Sequence, residues 1–94
     1  MSTYQLSIIT PNGKTFEGSV ESLTAPGQEG SFGVWANHAP MVAALTQGTL
    51  SLKKEGTVIH YTISPGVLEV DHRKNVLILC DDARETSLPE KDVN

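Results

Sequence analysis

Three histidines and a single cysteine are the residues of this chain that could support bond-making chemistry. His38 stands beside Asn37 in a turn, and an imidazole titrates near neutral pH, which makes it the candidate general base. No nucleophile is near it in sequence, and a histidine between Asn37 and Ala39-Pro40 more readily organises the turn or meets a partner. Cys80 precedes Asp81-Asp82, and a thiol hydrolase would require His38 or His60 to fold against it. Cys80 closes an apolar run, however, where a cysteine behaves as a small buried hydrophobe. His38, His60 and His72 lack paired ligand spacing, so no metal site is expected. Gly27, Gly30 and Gly33 have the glycine density of a phosphate loop, but no P-loop Lys-Ser/Thr pair and no following helix accompany them. The series reads as turn and bulge geometry, its glycines allowing positive φ, with Pro26 and Pro40 fixing φ at either end. If Phe32 and Val34 face inward, Trp35 faces outward, where tryptophan anchors interfaces; a bulge would instead turn it into the core. No catalytic residue, cofactor or metal ligand is assigned.

The elements around these residues follow from turn signals at short intervals, separated by alternating or β-branched runs, the pattern of a sandwich or barrel. Tyr4, Leu6 and Ile8 alternate with polar neighbours before Pro11-Asn12-Gly13, and Asn-Gly predicts a type I′ hairpin. Phe16, Val20 and Leu23 continue the return strand, with Gly18 as its expected bend or bulge. Leu50 and Leu52, the Glu55-Gly56 turn, and Ile59, Tyr61 and Ile63 predict a second hairpin. After Ser64-Pro65-Gly66 come Leu68 and Val70, a polar turn over 71–75, and Val76-Leu77-Ile78-Leu79-Cys80. That last run is apolar on both faces, so it predicts a central strand or one whose outer face meets a partner. Helical periodicity is absent apart from a single possible turn over Met41 to Leu45. The charged segment from Asp82 to Asn94, with Pro89 and no apolar stripe, reads as a loose end.

Ninety-four residues suffice for one domain that buries about two thirds of its unfolded surface. With 38% apolar residues and only five aromatics, the core must be Ile, Leu and Val, which favours sheet. A net charge of -4 with scattered basic residues argues against nucleic acid, and no run reaches a membrane span. The opening Met-Ser-Thr-Tyr-Gln-Leu is neither a secretory signal nor a transit peptide, and one cysteine agrees with a reducing compartment.

Several ordered blocks carry a resemblance. They are Leu6-x-Ile8-Ile9-Thr10-Pro11-x-Gly13, Phe16-x-Gly18-x-Val20, Pro26-Gly27-x-x-Gly30-x-Phe32-Gly33-Val34 and His38-Ala39-Pro40, followed by Leu45-x-x-Gly48-x-Leu50, Gly66-Val67-Leu68-Glu69-Val70 and Asn75-Val76-x-Ile78-Leu79-x-Asp81-x-Ala83. In order and spacing, over about residues 4 to 84, the chain resembles the β domain of the epsilon subunit of the rotary F-type ATP synthase.

The resemblance implies an all-β fold, a ten-stranded β-sandwich of two antiparallel sheets over 1–84, with 85–94 as a short polar tail. It implies a non-catalytic rotor subunit that joins the gamma subunit to the c-subunit ring within a large membrane-associated complex, with no nucleic acid and no membrane insertion of its own. By position, Gln28, Glu29, Ser31, Asn37, His38 and Met41 would approach the ring; some relatives have an acidic residue at Ser31, so the charge here rests on Glu29. Trp35, Val42, Ala43 and Leu45 are the candidates for gamma. The expected location is the cytoplasmic face of a bacterial inner membrane, with a plastid thylakoid as the alternative. Many relatives continue into an α-helical hairpin; Ser87-Leu88-Pro89-Glu90-Lys91 does not open like one, so neither hairpin inhibition nor a nucleotide site is expected. The competing readings are a β-sandwich adaptor for another partner and a small thiol hydrolase.

Overall fold

Alternation of apolar and polar residues with period two is satisfied by ten strands, and the computed structural model describes residues 2–87. In chain order these are β1 (Tyr4–Thr10), β2 (Gly13–Val20), β3 (Ser22–Gly27), β4 (Gly30–Trp35), β5 (Met41–Leu45), β6 (Gly48–Lys54), β7 (Thr57–Ile63), β8 (Gly66–Val70), β9 (Val76–Cys80) and β10 (Ala83–Thr86). One continuous ladder runs β10-β7-β6-β3-β5-β8-β9-β1-β2, with β4 attached to β3. Its weakest joint is between β3 and β5, a single residue pair, Gly27 opposite Leu45. There the ladder folds over, giving the two layers of the expected sandwich. All neighbouring pairs are antiparallel except β1 with β9, which run parallel.

Both layers aim one face of each strand at a shared core. Leu6, Ile8, Val34, Leu45, Leu50, Leu52, Leu68 and Ile78 have no exposed surface. Removing such side chains from water supplies the main stabilisation, about 1.5–3 kcal/mol for each large aliphatic. Tyr4 reaches across the core and donates its hydroxyl to the Val34 carbonyl at 2.8 Å, tying β4 to the other layer. A phenol buried this way needs such an acceptor.

Several local expectations are corrected. The first hairpin pairs Thr10 with Gly13, so its loop is Pro11-Asn12, and only Gly13 has positive φ (117°). A proline ring holds φ negative and excludes type I′ at Pro11. The type I′ signature instead lies at Glu55 and Gly56, with φ of 52° and 79°. The register is continuous past Gly18; the irregularity lies between Ile8 and Ile9, opposite Phe16 and Lys14, where Thr15 is the extra residue. Leu23 belongs to β3, since the chain breaks at Glu21. Met41–Leu45 is a strand, not a helical turn, because β8 pairs with all five residues.

The segment from Asp82 is also not loose throughout. Ser64 Oγ accepts the amides of Asp81 and Asp82 at 3.0 and 2.9 Å, which turns the chain from β9 into β10. Ala83–Thr86 then ladder onto β7, so ordered strand extends past residue 84. An edge strand needs one neighbour and little apolar surface, which is why composition alone hid it. Of the tail expected over 85–94, residues 88–94 lie outside the described residues.

Candidate functional site

The reactive candidates do not form a site. Cys80 is 7% exposed at the end of β9, and the cleft beside it is lined by Ile9, Pro11, Pro65, Leu79 and Asp81 among others, with no histidine. Burial pushes its thiol above the ordinary cysteine range, opposed in part by a hydrogen bond from the Asp82 backbone. A thiol held protonated is a poor nucleophile. His38 lies in the 36–40 connection and uses Nδ1–H to donate to the Ala39 carbonyl at 2.8 Å. His60 Nδ1 meets Ser51 Oγ at 2.8 Å, within a row of Thr24, Ser51, His60 and Thr86 crossing four strands. No group of three or more potential metal-ligating side chains occurs among the described residues.

The glycine series has two separate causes, positive φ at one position and close approach at the other two. Only Gly30 has positive φ, 120°, as it leaves the β3–β4 turn. Gly27 and Gly33 are extended, and what excludes a side chain there is space. A Cβ on Gly27 would sit 2.7 Å from the Gly30 carbonyl oxygen, and one on Gly33 would occupy the Trp35 ring. Trp35 therefore lies over Gly33, 63% exposed, as the outward facing of Val34's neighbour requires.

Of the residues expected near the ring, Gln28, Glu29, Ser31 and Met41 come together. They line one cleft of about 490 Å³ between the tip at residues 27–32 and strand β5 over Met41–Ala44. Asn37 and His38 belong to the 36–40 connection and do not line it; Asn37 has φ of 68°, in the left-handed region that asparagine tolerates.

The four residues expected to face gamma do not share a surface. Val42 is 71% exposed and opposite Glu69 of β8, whereas Trp35 is opposite Ser22 and beside Lys53 on the other layer. Ala43 is half-buried, and Leu45 is wholly in the core, so it is removed from the candidates. A contact side chain must reach solvent.

Strand register reveals a surface that the motif comparison missed. Ala44, Val67, Leu79 and Ile9 stand opposite one another in turn across β5, β8, β9 and β1. Val67 and Leu79 are 41% and 46% exposed, and Val42 and Leu77 stand in the neighbouring row. An apolar row crossing four strands is the kind of patch that marks a partner surface. The opposite layer carries the hydroxyls of Thr24, Ser51 and Thr86, with Thr49 and Thr62 one row on and, in the row on the other side, exposed Trp35 and Val58 flanking Ser22 and Lys53. Leu77 and Leu79, at outward positions of a run apolar on both faces, were the legible signal.

Comparison with known proteins gives this arrangement a setting. The family model described as ATP synthase, Delta/Epsilon chain, beta-sandwich domain matches residues 3–86. The chain is 41% identical over 83 residues to the ATP synthase epsilon chain of Aliarcobacter butzleri, covering 88% of this chain and 66% of that one. It is 42% identical over 80 residues to the ATP synthase epsilon chain of Sulfurimonas denitrificans, covering 84% and 62% respectively. The chain thus spans somewhat under two thirds of these relatives' length. A chain in the Euglena gracilis mitochondrial ATP synthase OSCP/F1/c-ring structure superposes with a TM-score of 0.84 at 26% identity, covering 90% of this chain and 54% of that chain. A chain of the Tetrahymena thermophila mitochondrial ATP synthase central stalk/c-ring shares the fold, with a TM-score of 0.76 at 15% identity over 99% of this chain and 71% of that chain.

Proposed function

The chain belongs to the ATP synthase delta/epsilon-chain β-sandwich family, and from that premise we propose that it is a non-catalytic central-stalk subunit of an F-type ATP synthase. It joins the gamma subunit to the c-subunit ring at the cytoplasmic face of the membrane and helps couple ion translocation to ATP synthesis. The observation that carries this reading is the apolar row Ala44, Val67, Leu79 and Ile9, which crosses four strands of one layer with Val67 and Leu79 41% and 46% exposed. The apolar face is assigned to gamma, with Val42 at its margin, and the tip carrying Gln28, Glu29 and Ser31 to the ring; Met41 lines the cleft beneath that tip. Asn37, His38 and Trp35 become peripheral contacts.

Rigidity suits the role. Ten laddered strands joined by short turns resist shear better than a flexible helical appendage would, so rotation of gamma is passed on without the joint yielding. The test is recovery of the tagged chain from detergent-solubilised membranes of its source. Gamma and the c subunit should accompany it, and their absence from an otherwise intact preparation would overturn the assignment.

A further inference from the structure

The cleft between the tip and β5 is a gap in a sheet as well as a surface hollow. Beyond the Gly27–Leu45 pair, β3 and β5 diverge, and the last link between them is Gln28 N–H donating to the Ala44 carbonyl at 3.2 Å. In an antiparallel strand the N–H and C=O of one residue point to the same side, and the side alternates along the chain. Thr46 N–H donates to the Pro26 carbonyl, so residues 44 and 46 both point towards β3. Val42 therefore aims its N–H and C=O along this same edge, while Met41, Ala43 and Leu45 point towards β8. No strand ladders with Val42 on the cleft side among the described residues. Across the gap, β4 is likewise paired only with β3 among the described residues.

We infer that the cleft receives an extended loop of a partner protein, which adds a short strand to the free edge of β5 by hydrogen-bonding to the Val42 backbone. Unpaired strand edges are ready templates for such addition. The lining favours approach of a backbone, since Gly27, Gly30, Ser31, Ala43 and Ala44 are small. Glu29 is the charged residue of the lining and no cation accompanies it, so the complementary loop bears a lysine or arginine. This deepens the ring contact proposed above and rests on that reading for the partner's identity, the ring subunit's polar loop, but not for the mode of contact.

Amide hydrogen exchange on the chain alone and on its reconstituted assembly with gamma and the c ring tests this. In the free chain the Val42 amide should exchange fast while Met41 and Ala43, laddered to β8, are slower. In the assembly Val42 should slow by roughly tenfold or more. Shielding of residues 28–31 with Val42 still fast would overturn strand addition and leave the ring contact standing. If neither the tip nor Val42 changes while the assembly is intact, both readings fall. As a second readout, Val42→Pro removes the edge donor, whereas Val42→Ala trims the side chain and keeps the N–H. Pro should weaken the assembly about fivefold more than Ala; equal effects would also overturn the proposal.

Discussion

Leu79 and Ile78 are adjacent in sequence and face opposite ways, so substituting each in turn separates binding from folding. Leu79 is 46% exposed and Ile78 is fully buried. Completely burying a leucine yields about 1.5–3 kcal/mol, so covering the exposed part of Leu79 with a partner yields roughly 0.7–1.4 kcal/mol. At about 1.4 kcal/mol per factor of ten, Leu79→Ala should weaken association with gamma by roughly three- to tenfold. Leu79→Glu should weaken it by more than about a hundredfold, because an unpaired carboxylate would have to leave water inside the interface. Neither change should cost the free chain more than about 1.6 kcal/mol, the share of Leu79 that its own fold already covers. Ile78→Ala, one residue away, should cost about 2–5 kcal/mol of stability through the cavity it leaves. Titration of labelled chain with purified gamma gives the affinities, and urea unfolding gives the stabilities. Wild-type affinity in Leu79→Glu would refute the assignment of this face, and unfolding by that substitution would refute the outward placement of Leu79.

Other consequences are as direct. Glu29→Lys should weaken coupling between ion flow and ATP turnover in reconstituted vesicles, and unchanged coupling would count against this residue. Exposed charge pairs contribute only about 0–1 kcal/mol each, so the loss should be partial and smaller at high salt. Gly27→Ala should destabilise by about 1–3 kcal/mol, because its methyl would meet the Gly30 carbonyl at 2.7 Å and the Phe32 ring at 2.9 Å; a wild-type urea midpoint would refute that packing. Burial raises the Tyr4 phenol above the ordinary tyrosine range. The native state therefore holds its proton when the unfolded chain has lost it, and stability, complete below about pH 10, should fall as pH rises beyond that value. Tyr4→Phe should flatten that alkaline fall, at a cost of about 0.5–1.5 kcal/mol at neutral pH for the lost bond to Val34; an unchanged slope would show that Tyr4 is not its source.

How far the sequence discloses this molecule depends on the range of the interaction concerned. Period-two alternation fixes which side of Tyr4, Leu6 and Ile8, or of Leu50 and Leu52, meets the core, because that choice is made within one strand. Turn identity was less legible. Asn12-Gly13 has the composition of a type I′ pair, but the loop is shifted one residue to Pro11-Asn12, whereas Glu55, an unfavourable residue for positive φ, adopts it at 52°. The registers on either side set those turns, overriding local preference. β10 was hidden for a similar reason: what makes Ala83–Thr86 a strand is Ser64, which redirects the chain at residues 81–82 from a distance of 17 and 18 positions. The tip cleft was partly legible because Gln28, Glu29 and Ser31 lie in one short turn; Met41, expected with them, joins the cleft from β5, whereas Asn37 and His38 do not line it and Val42, Ala43 and Ala44 do.

The apolar face was the least legible feature, and the reason bears on how it works. Val67, Leu79 and Ile9 are separated by 12 and 70 positions in sequence and become neighbours only through the β8–β9 hairpin and the parallel β1–β9 pair. The parallel pair brings a strand from the start of the chain beside one from near its end, so the face exists only when the layer is assembled. β5 then connects the two proposed contacts physically. It carries Val42 and Ala44 on the apolar face through their side chains, and borders the tip cleft through its backbone. One strand of five residues thus touches the surface assigned to gamma and the gap assigned to the ring. Under that assignment, torque entering at Leu79 and Val67 would cross to β5 through laddered hydrogen bonds, with no loop in the path. A distortion of β5 should therefore impair both contacts together, whereas Leu79→Glu should impair gamma binding and leave exchange at residues 28–31 sensitive to the ring.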